Sequence, residues 1–131
     1  SGKFEVVEGD VAVVSGTVRA TSDPQSEQIK FRLPTTDEPE SMTSKDIYKE
    51  FRLRGYQYSG LFRSMKSATT DGSKGTIRWP NNWVAFMDNM LQIQLLGLDT
   101  RSLLVPTGIR KLTIDGRKHS QMIRAMPQDK Q

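Results

Sequence analysis

Apolar and polar positions alternate from Lys3 to Val7 and again from Val11 to Arg19, around Glu8-Gly9-Asp10. This period of two with a turn between predicts a β-hairpin. From Thr21 to Thr43 the chain is rich in Ser, Pro, Asp, Glu and Thr, which predicts a linker or long loop. Ser44 is expected to cap a short helix over Lys45 to Arg54, with Ile47, Phe51 and Tyr48 to one side and Gly55 ending it. After an aromatic loop over 56–62, two strands are predicted near Leu61 to Thr69 and Gly75 to Trp79, joined by Thr70-Asp71-Gly72-Ser73. Beyond residue 102 the pattern predicts a strand over Ile109 to Ile114, a turn at Asp115-Gly116 and a last strand near Ser120 to Ala125. The tail from Pro127 should fray. This order of elements is that of an α+β domain with an antiparallel sheet.

Between these strands, Trp83 to Leu96 reads as a helix that is apolar almost all the way round. Pro80, Asn81 and Asn82 supply a break and a capping amide, and Gly97 stands where a left-handed residue closes a last turn. Helices apolar on every side are normally buried. On a wheel of about 100° per residue, Asp88, Asn89 and Gln92 share one arc with Ala85. An ionised carboxylate is costly to bury unless it is paired or held neutral. Asp88 is therefore a candidate for chemistry, although from spacing alone an ion pair with an Arg or a capping role explains it equally well. Gln92, one turn on, either orients that carboxyl or bonds backbone across the core.

At 131 residues the chain suits one domain. The absence of Cys excludes disulfides, thiolate metal sites and cysteine nucleophiles. A single His, His119, excludes a multi-histidine metal site, so no metal is expected. His119, between Lys118 and Ser120, reads as a solvated surface residue. A net charge of +4 favours anionic partners. The basic residues are nevertheless spread out, and a stacking surface at Tyr56 and Tyr58 has only Arg52 and Arg54 beside it, so nucleic acid is not expected. No apolar stretch approaches the ~20 residues of a membrane span and no membrane partner is expected. The amino end has neither Met nor a signal-peptide pattern, so we expect an excised piece of a longer cytoplasmic polypeptide.

Three segments carry a resemblance: Asp46-Ile47-Tyr48-Lys49-Glu50-Phe51-Arg52-Leu53-Arg54-Gly55-Tyr56-Gln57-Tyr58, Asn82-Trp83-Val84-Ala85-Phe86-Met87-Asp88-Asn89-Met90-Leu91-Gln92, and Val105-Pro106-Thr107. Together they resemble the dehydratase region of animal-type fatty acid synthase. That family's fold is a double hot dog, each half a curved antiparallel sheet wrapped around a long central helix. The resemblance implies that 1–20 is a terminal hairpin of the preceding half, 21–43 a linker, 44–126 the second half and 127–131 a frayed tail.

The implied reaction removes water from a 3-hydroxyacyl thioester to give a trans-2-enoyl thioester. Asp88 matches the family's catalytic acid and Gln92 its orienting companion, while the catalytic His belongs to a first half outside this sequence. Elimination needs a base at C2 and an acid at the leaving oxygen, and an apolar surround keeps a proton on a carboxyl near neutral pH. Tyr58, Phe62 and Pro106 match positions along the substrate tunnel. Relatives have Tyr-Gly-Pro where this chain has Tyr58-Ser59-Gly60, so a fixed φ is lost there. The expected partners are the first half of the same polypeptide and an acyl carrier protein bearing the substrate on phosphopantetheine, met by some of Arg52, Arg54, Lys66, Arg110 and Lys111. No cofactor is expected in this piece, NADPH serving other domains of a homodimeric parent. The piece alone should be an inactive fragment of an enzyme, and a non-catalytic, associating half is the alternative.

Overall fold

Strands β1 (Lys3–Glu8) and β2 (Val11–Thr17) pair antiparallel around the expected turn, where Gly9 takes φ +60. The computed structural model describes residues 2–30 and 40–127, and the chain falls into two units, 1–36 and 37–131. In the first unit a bulge between Val6 and Val7 breaks the hairpin register, and valines on both faces stay exposed. Part of the expected linker lies outside the described residues. Within it, a helical turn α1 (Pro24–Glu27) is capped by Asp23, which accepts from the Ser26 amide at 3.2 Å. Arg19 makes a bidentate pair with Glu27 at 2.8–2.9 Å, a contact that at such exposure contributes little.

The second unit is built on a three-stranded antiparallel sheet, β3 (Ser41–Thr43), β4 (Met65–Thr69) and β5 (Gly75–Ile77), with β4 in the middle. Met42 lies opposite Ala68 and Met65 opposite Ile77, and a bulge between Met65 and Ser67 lets Met65 and Ala68, three positions apart, both reach the core. Helix α2 (Ser44–Leu53) covers the sheet there and inserts Ile47, Tyr48 and Phe51, which with Tyr56, Met65, Ala68 and Leu96 form the buried core. The chain is thus α+β with antiparallel sheets.

Both ends of α2 follow from local chemistry. Thr43, rather than Ser44, is the N-cap: its hydroxyl accepts from the Asp46 amide and the Asp46 carboxylate accepts from the Thr43 amide at 3.1 Å. The Thr43 hydroxyl donating to the Asp46 carboxylate at 2.6 Å, together with the Thr43 amide, holds that carboxyl below its usual range. At the other end Gly55, at φ +96, lets its own amide reach Arg52 O and the Tyr56 amide reach Phe51 O, which satisfies two of the last carbonyls.

Helix α3 runs from Trp83 to Leu96, the predicted span, with Asn82 accepting from the Ala85 amide at 2.9 Å. Its burial departs from expectation. The fully covered stripe is Ala85, Asn89, Gln92 and Leu96, while Trp83 and Val84 are exposed and the other apolar flanks are half-buried. Gly97 also plays a different part, because its φ is −73 and it closes no left-handed turn. A side chain there would collide with Asp71 O, and one at Gly72 would come within 2.5 Å of Ile93 O. The turn between β4 and β5 therefore packs its backbone directly on the last turn of α3. Arg54 finishes that turn: its Nη1 donates to Leu95 O at 2.6 Å while its Nε bonds Glu50 at 2.9 Å.

The strands expected beyond α3 are absent among the described residues. Residues 101–114 are exposed and belong to no helix or strand, and Gly116–Ala125 is a helix, α4, capped by Asp115 accepting from the Lys118 amide at 2.9 Å. An Asp-Gly pair serves a turn or an N-cap equally well, and His119 and Ile123, four apart, are the positions α4 turns inward. His119 is correspondingly not a solvated surface residue. It packs against Trp79 and Trp83 at centroid distances of 4.4 and 4.5 Å, with its Nε2 buried and without a hydrogen-bond partner among the described residues. No helix among the described residues is long and apolar enough to cross a membrane.

Candidate functional site

Four residues make the polar heart of the second unit: Tyr48 from α2 and Asp88, Asn89 and Gln92 from α3. The α-helical period places Asn89 and Gln92 on the covered stripe, each 0 % exposed, and leaves Asp88 at its half-buried margin. Gln92 Nε2 donates to Asp88 Oδ2 at 2.8 Å and to the Phe62 carbonyl at 2.8 Å. The carboxyl therefore has one oxygen fixed from within the helix, and among the described residues no cation pairs with it. The reading in which Asp88 exists to neutralise an internal Arg finds no such Arg here.

Asn89 is bonded at both ends of its amide. Its Oδ1 accepts from the Ser64 amide at 3.0 Å, and its Nδ2 donates to Ala85 O at 2.7 Å and Leu61 O at 3.2 Å. Tyr48 closes the network. Its hydroxyl accepts from the Met65 amide at 3.1 Å and shares its single proton among Asn89 Oδ1 at 3.2 Å, Gln92 Oε1 at 3.3 Å and Phe62 O at 3.4 Å. Because Tyr48 presents a donor to Gln92 Oε1, the amide nitrogen of Gln92 must be the end that faces Asp88. The single 3-10 turn Gly60–Phe62 and the segment leading into β4 are thus tied to α3 by side chains that bond backbone.

Tyr58 and Phe62 lie beside this network. Tyr58 stacks on Tyr56 at 5.7 Å with planes 7° apart and meets Phe51 and Tyr48 edge-on. Phe62 exposes its ring and contributes its carbonyl. Pro106 is exposed in the segment 101–114, two residues past Leu104, whose amide and carbonyl both bond the Tyr56 hydroxyl, at 2.7 and 2.8 Å. Asp88, Gln92, Tyr58 and the Phe62 backbone are therefore gathered at one place, whereas no described contact joins Pro106 to them. Tyr48 and Asn89 are the residues whose importance a reading of the chain misses. Their signal was present as a Tyr on the apolar side of α2 and an Asn among the apolar residues of α3, since neither is buried without partners. Among the described residues no three His, Asp or Glu side chains cluster as metal ligands would.

Burial, the Asp88 carboxylate and the neighbouring tyrosines all disfavour ionisation of Tyr58, whose hydroxyl is pushed up to about 12. Tyr48 is raised for the same leading reason, desolvation. In the unfolded chain both would ionise near the ordinary tyrosine value of about 10. Between that value and about 12 the unfolded state binds fewer protons than the folded one, so stability falls with rising pH in that window and is full below it. Alkaline titration followed by tyrosinate absorbance is expected to show part of the tyrosine signal appearing only near pH 12 or together with loss of structure. Full ionisation of all tyrosines at the ordinary value, with the fold intact, would contradict this environment. No protein-family model matches the chain.

Proposed function

We propose that this chain is the second half of a 3-hydroxyacyl thioester dehydratase of the fatty acid synthase kind, with the hot-dog fold of that enzyme. The observation that carries the reading is the Asp88 carboxyl: half-buried, free of any described cation, and oriented at 2.8 Å by a fully buried Gln92 one helical turn away. A carboxyl so placed suits a general acid. In the reaction a base takes the C2 proton, the C2–C3 double bond forms as the C3–O bond breaks, and Asp88 gives its proton to the departing oxygen, which leaves as water. Gln92 holds the carboxyl toward that oxygen. The base is the His of the first half, and the substrate arrives on the phosphopantetheine of an acyl carrier protein. The cytoplasm of a cell with a homodimeric synthase is the proposed setting.

Two further features support a missing half. A two-stranded hairpin is marginal in water by itself, and the valines of β1 and β2 are open on both faces. Trp83 and Val84 on α3 likewise present apolar surface that another sheet would cover. The isolated chain is expected to show no dehydration of a 3-hydroxyacyl thioester, and a polypeptide joining it to a His-bearing first half is expected to show it. Turnover by the isolated chain would remove the shared-site reading.

A second reading, a non-catalytic half, is favoured by one observation. Every polar side-chain atom of Asn89 and Gln92 is spent on internal bonds. On that reading the network is a latch between α3 and the turn before β4. It predicts that dehydration by the joined polypeptide is indifferent to Asp88.

A further inference from the structure

We propose that the groove between the first turn of α2 and the start of β4 binds the phosphate group of a small ester ligand, a site distinct from Asp88 and independent of the dehydratase reading. The groove measures about 280 Å³ and is lined by Ser44, Arg63, Ser64, Met65, Lys66 and Arg78. Three of those six residues are cations and none is an acid. Among the described residues none of the three is in an ion pair, in contrast to Arg54 and Arg19, which are matched with carboxylates. Like charges gathered around one concavity repel each other, and an anion seated between them relieves that repulsion.

The local structure keeps the cations there. The Cζ of Arg63 lies 4.8 Å from the centroid of the Tyr48 ring, a stacking that holds the guanidinium at one wall. The Arg78 amide donates to Ser64 O at 2.8 Å, which continues the β4–β5 pairing and fixes the base of that side chain across the groove. Lys66 is the exposed residue at the bulge that breaks the β4–β5 register between Met65 and Ser67. Ser44 adds a hydroxyl and opens α2, whose first amides have no acceptor within the helix. Asp46, in the first turn of α2, is turned back onto Thr43 by two bonds and does not line the groove.

Two guanidiniums, an ammonium and a hydroxyl match the oxygens of a phosphate, which takes parallel N–H bonds from Arg. The volume lies just under the ~300 Å³ at which pockets for drug-sized ligands begin. That size suits a phosphate with a short tail. Tyr48, which carries Arg63 on its ring, also bonds Gln92, so one side chain links Arg63 to the Asp88 network.

The test is a titration of the full 131-residue chain with inorganic phosphate, followed by backbone amide NMR, against sodium chloride at matched ionic strength. Saturating shifts are expected at Ser44, Ser64, Lys66 and Arg78 with phosphate and not with chloride. Arg78→Gln, which leaves the Tyr48 ring untouched, should weaken saturation about tenfold, as should Arg63→Gln, while Arg101→Gln should not. Phosphoserine binding at least as tightly as inorganic phosphate would assign the ligand as an ester. Shifts that do not saturate, that appear equally with chloride, or that survive both Arg63→Gln and Arg78→Gln would overturn the site. So would tighter, steeply salt-dependent binding of a single-stranded oligonucleotide with shifts spread over the other basic residues, which would make the groove one part of a nucleic-acid surface.

Discussion

Replacing Asp88 with Asn in a polypeptide that carries both halves is expected to lower dehydration by about 10²–10⁴-fold, the range a positioned general acid contributes. Asparagine keeps the shape of the side chain and an oxygen that can still accept from Gln92 Nε2, a bond of 2.8 Å in the parent. What it removes is the transferable proton. The loss should therefore fall on kcat with KM little changed, as for an interaction made only in the transition state. Thermal unfolding should move very little, because Asp88 sits at the margin of the covered stripe and has no charge partner among the described residues. Steady-state assay of the thioester at matched protein concentration, alongside a melting curve, decides the point. Normal turnover by the variant would end the acid role and leave the latch reading standing.

The neighbouring position is expected to behave in the opposite way. Asn89→Ala should cost about 2–4 kcal/mol of stability, since it strands the Ser64 amide and weakens the bonding of Tyr48 in a dry interior, and each buried group left unsatisfied costs about 1–3 kcal/mol. Asn89 is 0 % exposed, and water cannot enter without unpacking the stripe. Val84→Ala, at a side chain 64 % exposed on the same helix, should change stability by less than about 0.5 kcal/mol. Urea unfolding followed by emission of Trp79 and Trp83 compares the two. A loss below about 1 kcal/mol at Asn89 would mean that the network can relax around the hole. Adjacent residues thus separate chemistry from architecture: one loses rate and keeps its fold, the other loses its fold.

Much of the second unit was legible because its signals are local. Asn82 and the break at Pro80 marked the start of α3, Gly55 marked the end of α2, and Thr70-Asp71-Gly72-Ser73 marked the tight connection of β4 to β5. The arc holding Ala85, Asp88, Asn89 and Gln92 also follows from the helical period alone. What failed depended on distant contacts. Hydropathy ranks Trp83 and Val84 as buried, yet the side of α3 that faces α2 and the sheet is the polar one, because Tyr48 and the backbone at Leu61 to Ser64 supply partners no wheel displays. Residues 109–114 alternate like a strand, but a strand exists only against a neighbour, and none adjoins them among the described residues. The surface expectation for His119 fails for the same reason: its surroundings, Trp79, Trp83 and Phe86, lie more than thirty positions upstream. Gly97 shows a subtler case, since glycine was required there for the close approach of a turn and not for its own φ.

One guanidinium joins the far ends of the two principal helices. Arg54 follows the last residue of α2, is braced by Glu50, and terminates α3 through the carbonyls of Leu95 and Leu98. Neither helix therefore frays by itself. In amide hydrogen exchange the closing residues of both should open as a single cooperative step, and a peptide spanning only α3 should unwind from its carboxyl end, because the group that seals it resides on another part of the chain.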